Sequence, residues 1–404
     1  MESIKELYRI GRGPSSSHTM APASAARIFF EKHPQAQSYR VTLYGSLAAT
    51  GKGHLTEEVL REILPPEKTT ILWRKDQYLP PHPNAMLFEA VELDSSVASW
   101  LVFSVGGGAI RDLESMNRVE NLYPHQTLKE IIDYSEENGL TLADYVFKFD
   151  RKDLKDYLRE VWKTMQQAIK RGLNAEGVLP GPLKLQRKAS SFYLKSRNSK
   201  GMLQKISRTF AYALAVSEEN AAGGVIVTAP TCGSSGVVPA VLKSLSESYK
   251  FSEDRIINAL AVAGLIGNLV KHNASISGAE VGCQGEIGTA CSMAAAAATY
   301  LLGGSARQME YAAEMGMEHH LGLTCDPVAG MVQVPCIERN AMASERALDC
   351  AVYALMTDGS HKIPFDEVVR IMKQTGLDMK KEYRETAEGG LATIFTEKKD
   401  EQES

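Results

Sequence analysis

Residues 150–182 read DRKDLKDYLREVWKTMQQAIKRGLNAEGVLPGP, and the chain changes character across them. Leu154, Leu158, Val161, Met165 and Ile169 recur at helical spacing, so Asp150 to Gly172 predicts a charged amphipathic helix with one apolar stripe. Gly177 to Pro182 then brings glycine and proline close together, which marks a break. Upstream of it, Tyr39 to Tyr44 alternates as a strand, and Thr69 to Trp73 is short and β-rich. Met86 to Leu93 and Ser99 to Val105 can form a hairpin across Asp94 to Ala98. A helix is expected after Ser17, with Pro22 in its early turns and Ala25, Ala26, Ile28 and Phe29 following. Downstream, strand signals nearly vanish, and Val225 to Thr228 alone resembles one. Met202–Val216, Val237–Leu245, Arg255–Val270, Thr289–Leu302, Ala306–Met317 and Glu338–Met356 all carry helical patterns. The fold class expected is therefore α+β: an amino-terminal α/β unit over 1–150, a helical linker over 151–182, and a nearly all-α domain over 183–395. The polar stretch 396–404 is expected to be disordered.

A chain of 404 residues with 44% hydrophobic content is long enough for two domains. Its formal net charge of −4 gives no general attraction for a phosphate backbone or an anionic bilayer, so neither nucleic acid nor membrane is an expected partner. Met1 to Ile10 lacks a continuous apolar core, and Ala259–Val270 and Ala290–Leu302 are too short to span a bilayer, so a cytoplasmic location is expected. The six cysteines are too few for a disulfide scaffold in a chain this long. All lie at or beyond Cys232, which confines any cysteine chemistry to the helical half.

Two loops concentrate reactive residue types. The first, KHNASISGAEVGCQGEIGTACSM from Lys271, interleaves hydroxyls, an amide, acids and glycines around Cys283. The second, LGLTCDPVAGMVQVPCI from Leu321, sets Cys325 ahead of Asp326-Pro327 and Cys336 directly after Pro335. Cys283, Cys325 and Cys336 could converge as soft ligands for an iron-sulfur cluster or for zinc. With no C-x-x-C pair, spacing alone favours three buried core thiols over ligands. Cys291 and Cys350 read as core residues of helices. At the amino end, GRGPSSSHTMAP places Ser15 to Ser17, His18 and Thr19 where a loop meets a helix, an arrangement that serves either as an N-cap or as an anion site. YGSLAATGKGHLTE contributes His54, and PHPNAM contributes His82 and Asn84. VGGGAI at 105–110 lacks the spacing of a nucleotide loop.

Taken in order, GPSSSHT, YGSLAATGKGH, HPN, SVGGG, APTCGSSG, NASISGAEVGCQGE and EHHLGLTCDPVAGMVQVPCIERNAM resemble the iron-sulfur L-serine dehydratases, or L-serine ammonia-lyases, in their single-chain form. The resemblance covers most of the chain. It implies a [4Fe-4S] cluster on Cys283, Cys325 and Cys336 whose fourth iron is open to substrate, a homodimer, and an amino-terminal domain similar to the substrate-binding regulatory domain of some phosphoglycerate dehydrogenases. L-serine would lose water from its β-carbon, and the resulting enamine would hydrolyse to pyruvate and ammonia. His54 is the expected base, with Lys271 and His18 as rivals. Ser16, Ser17, Thr19, Asn84, Asn273, Ser275 and Ser277 are the expected substrate contacts. The chain departs from the family in HPNAM, EHHLG and GKGHLTE, and GGLATIFTEKKDEQES carries no terminal cysteine, so inhibition by a tail thiol is not expected. Three other readings compete: a pyridoxal-phosphate eliminase using Lys271 and a Thr231–Gly236 phosphate cradle, a serine-binding iron-sulfur sensor without catalysis, and a structural zinc protein.

Overall fold

The alternation at 38–44 forms an inner strand of a five-stranded sheet in the computed structural model, which describes residues 1–82, 84–116, 120–386 and 388–394. A short strand β1 (Ile10–Arg12) and helix α1 (Ala21–Lys32) precede β2 (Ser38–Tyr44), and α2 (Gly45–Thr50), α3 (Thr56–Ile63) and β3 (Thr69–Arg74) follow it. The hairpin is present as β4 (Ala85–Val91) and β5 (Val97–Ser104), with β6 (Ile110–Asp112) on its outer side. Strand order is β3-β2-β4-β5-β6; β2 and β3 run parallel and the other pairs antiparallel. Phe29 of α1 and Leu60 of α3 close over Val41, Leu43, Met86 and Phe88, giving the sheet a core of its own. Pro22 sits in the first turn of α1, where its missing N–H costs nothing.

The remaining helices are α4 (Leu128–Glu137), α5 (Leu142–Phe149), α6 (Leu154–Asn174), α7 (Ala189–Arg197), α8 (Gly201–Ala221), α9 (Val237–Tyr249), α10 (Glu253–Asn273), α11 (Gly278–Val281), α12 (Thr289–Leu301), α13 (Ala306–Glu318), α14 (Cys336–Leu355) and α15 (Phe365–Asp378). The predicted stripe of α6 is buried from Leu154 to Ile169. At the centre lies α12, whose alanines from Ala294 to Ala298 are fully buried and let α9, α10, α13 and α14 approach closely. No helix among the described residues is long and apolar enough to cross a membrane.

Packing divides the chain differently from the sequence boundary at 150. Met1, Ile4, Leu7 and Tyr8 belong to the helical core, as do Leu128, Ile131, Leu142 and Val146 of α4 and α5. The strand signal at 225–228 is β7 (Val225–Val227), paired antiparallel with β1. Ile10 thus lies opposite Val227, which draws the first twelve residues onto the helical body and the sheet onto its flank. The expected tail at 396–404 lies outside the described residues.

Candidate active site

Cys283 and Cys325 are held together by the backbone of their two loops. α11 ends at Gly282, whose φ of 73° turns the chain sharply, and a β-carbon there would lie 2.8 Å from the Leu323 carbonyl oxygen. Gln284 then ties the loops together: its N–H donates to the Leu323 carbonyl at 3.2 Å, and its side-chain oxygen accepts the Gly322 N–H at 2.9 Å. The second loop is clamped from the carboxy-terminal segment, because Cys325 N–H donates to the Tyr383 carbonyl and Glu385 N–H to the Cys325 carbonyl, both at 2.7 Å. Cys336 opens α14 directly after Pro335, at a helix N-terminus, where free N–H groups favour a thiolate.

All three thiols line one narrow cavity that opens to solvent. Cys283 Sγ, Cys325 Sγ and a Glu286 carboxylate oxygen lie within 4.8 Å of one another, and Arg339 of α14 stands beside Cys283 and Cys336. The neighbouring Cys283 thiol and burial push the Cys325 thiol well above its usual range, and burial does the same to Cys336. Buried thiols of this kind become thiolates only when a cation takes the place of their protons. Space has also been kept free beside them: a β-carbon on Gly278 would lie 3.1 Å from Cys325 Sγ and 2.8 Å from Glu286 Oε2. Soft donors, burial and a vacated cradle fit a thiophilic metal or cluster.

The sheet side supplies the other wall. Pro14, Ser15, Ser16, Ser17, His54, Gly106 and Gly107 face Ser277 and the cysteines across the cavity. Ser15 is the cap: its hydroxyl accepts the His18 N–H at 3.1 Å and leaves the Ser16–Met20 turn continuous with α1. His54 Nδ1 donates to the Thr50 carbonyl at 3.1 Å, so its proton resides there and Nε2 carries the lone pair. That Nε2 is buried and unpartnered, and burial lowers the imidazole to about 4. His54 is therefore a neutral imidazole with an available acceptor on the cavity wall.

Other predicted residues have different settings. His18 is fully buried behind His54, ring to ring at 4.7 Å, with Nδ1 against Ser17 Oγ at 2.9 Å and Nε2 against Ser46 Oγ at 3.1 Å. Thr19 spends its hydroxyl on the His54 carbonyl at 2.7 Å. Both hold His54 rather than line the cavity. Lys271 is ion-paired with Glu2 at 2.8 Å, away from the cavity wall, and Asn273 donates to the Gln126 carbonyl at 2.8 Å. Ser275 bonds Glu280 and accepts the Ser277 N–H at 3.1 Å, so it shapes the loop from behind. Asn84 is buried beside His82, its Oδ1 without a partner. Thr231 and Gly233 do reach the cavity, but Lys271 does not join them, which separates the two halves of the pyridoxal-phosphate constellation. Cys291 and Cys350 are buried against each other between α12 and α14.

Sequence reasoning missed Glu286, Glu385 and Arg339. Glu286 accepts the Thr231 hydroxyl at 2.6 Å, and burial raises its carboxyl. Glu385 is pushed up to about 8 by burial and by Glu286. The CQGE stretch was a signal for Glu286; Glu385 sits in an unremarked polar run, and only the fold brings it here.

Comparison with known proteins agrees with this geometry. Residues 54–392 match the family described as serine dehydratase alpha chain, and residues 3–62 match serine dehydratase beta chain. An L-serine dehydratase of Streptomyces coelicolor is 40% identical over 98% of this chain and 99% of its own. L-serine dehydratase 1 of Escherichia coli is 41% identical over 97% and 99%, and an L-serine dehydratase of Helicobacter pylori is 36% identical over 96% and 98%.

Proposed function

Since the chain belongs to the serine dehydratase family and is an L-serine ammonia-lyase, we propose that it works with a [4Fe-4S] cluster held by Cys283, Cys325 and Cys336. The observation that carries the reading is the convergence of three buried thiols, drawn from two loops and a helix start, on a cavity whose opposite wall presents the free Nε2 of His54. When bound, such a cluster with one iron free of cysteine supplies a Lewis acid for the departing hydroxyl. That help is needed because hydroxide is a poor leaving group.

The chain's own residues supply the rest. His54 Nε2 is the base for the α-proton; its lone pair is secured by the Nδ1 bond to Thr50, and His18 and Thr19 hold the ring in place. The hydroxyls of Ser16, Ser17 and Ser277, with the backbone at Gly106 and Gly107, suit the substrate carboxylate. Glu286, anchored by Thr231, borders the thiols and keeps their loop in place. The arrangement needs both walls, so substrate binds where the sheet unit meets the helical body. A homodimer and a cytoplasmic setting accompany this reading.

An anaerobic pyruvate assay with L-serine on Cys283→Ala, Cys325→Ala and Cys336→Ala, run beside iron and sulfide analysis, tests it. Each variant is expected to lose pyruvate formation and labile sulfide together. Full activity in any one removes that cysteine from the ligand set, and zinc without sulfide in the parent protein would replace the cluster with a zinc site.

A further inference from the structure

Of the two carboxylates on the cavity, Glu286 is committed, to the Thr231 hydroxyl at 2.6 Å and the Cys325 thiol at 3.9 Å. Glu385 has no hydrogen-bond or ion-pair partner for its carboxylate among the described residues, although it lines the same wall. Its backbone shows why it points there. With φ at 58° it occupies the left-handed region, which costs a non-glycine residue on the order of 1 kcal/mol. The two bonds of the Tyr383–Cys325–Glu385 bridge hold it in that state. A half-buried carboxylate with no protein partner, fixed by a doubly tethered backbone beside a thiol on the cavity, is left free to meet a cationic group that enters.

L-serine carries two charges that such a cavity must match. Hydroxyls and backbone N–H groups on the Ser16, Ser17 and Gly106–Gly107 side suit its carboxylate, but none of them offsets the α-ammonium. Burying that cation without an anion would cost several kcal/mol, and the arriving cation in turn favours the ionised form of a carboxyl that burial and Glu286 alone hold protonated. We propose that Glu385 receives the α-ammonium of L-serine and is the residue that selects amino acids over amine-free hydroxy acids. The assignment rests on the cavity being the site of serine deamination. It gives the tether at Cys325 a purpose: the loop that presents a thiol also fixes the distance between the ammonium site and the metal.

The experiment is anaerobic calorimetry on the holoenzyme with two probes. L-alanine keeps the ammonium and lacks the leaving group; 3-hydroxypropionate keeps the hydroxyl and lacks the ammonium. Glu385→Gln is expected to weaken L-alanine by about tenfold or more, the worth of a charge-assisted bond, and 3-hydroxypropionate by less than about twofold. The KM for L-serine should rise with the L-alanine constant. Glu385→Asp keeps the charge and should recover part of the loss; it carries the same comparison should the Gln variant lose iron. Equal weakening of both probes, or of neither, overturns the assignment. Iron and sulfide are measured on the same samples. Selective loss of L-alanine binding in protein without sulfide would keep the ammonium site and remove the cluster.

Discussion

The imidazole of His54 has one nitrogen committed, Nδ1 to Thr50, and one buried without a partner. This makes the residue useful as a base and costly as a buried group. Burial lowers it to about 4, whereas an unfolded chain titrates near 6.5. The unfolded state therefore takes up its proton first as pH falls. Stability contributed by the neutral ring is fully present above about pH 6.5 and is lost toward pH 4, roughly 2 kcal/mol of it by about pH 5. His18, also held well below its usual value by burial, acts in the same direction. Urea unfolding at about pH 7 and about pH 5 should show this slope, and His54→Gln should flatten it by roughly 2 kcal/mol; an unchanged slope would mean the ring is not buried neutral. The same variant should lower kcat by about a hundredfold or more, since it removes the lone pair while keeping the ring's approximate volume. Lys271→Met offers the contrast: it breaks the pair with Glu2 and is expected to cost stability before chemistry, read as a shifted urea midpoint with kcat nearly unchanged.

Helices and strands in this chain were legible wherever a local period governs them. The strand at 38–44, the hairpin of β4 and β5, and helices α8, α9, α10, α12, α13 and α14 appear within a few residues of their expected limits, while the short α11 falls in a stretch read as a loop. Cys283, Cys325 and Cys336 were picked out by the motifs around them, and all three line one cavity. What could not be seen depends on contacts distant in sequence. β1 finds β7 more than two hundred residues away, Lys271 meets Glu2, and Glu385 reaches the site only because its segment bridges to Cys325. No periodicity encodes such pairings. The helix at 154–174 shows how a local signal can even point the wrong way. Gly172 is a poor helix former, and Ala there would ordinarily gain about 1 kcal/mol. Its added β-carbon, however, would lie 2.1 Å from the Ala215 carbonyl oxygen of α8, which is rigid backbone. Overpacking of that kind costs about 1–3 kcal/mol, more than propensity returns. Gly172→Ala should therefore lower the urea midpoint, and a raised midpoint would show that α6 and α8 can separate cheaply.

Across the whole molecule, the site joins two cores that are otherwise distinct. One is the sheet core around Val41, Leu43, Met86 and Phe88; the other is the helical core around α12. The thiols come from the helical side, and His54 with the Ser15–Ser17 turn comes from the sheet side. In the proposed function, holding a metal and taking the α-proton fall to different units, and disturbing one should leave the other partly intact. Phe88 is fully buried on β4, its ring tilted against those of Phe29 at 5.5 Å and Trp100 at 6.2 Å between centroids. Phe88→Ala removes a large side chain from the sheet core, at a cost of about 3–5 kcal/mol. With the cluster proposed above, the expected result is a protein that retains its iron, because the two loops and the helix start that carry Cys283, Cys325 and Cys336 rest on the undisturbed helical core. The same protein should deaminate L-serine slowly, with a raised KM, because the loops bearing His54 and the serines lose their support. Iron per chain, measured beside the pyruvate assay, decides the matter. Loss of iron in proportion to activity would mean that the two cores yield as one, and that the division of labour across the cavity is not mirrored in stability.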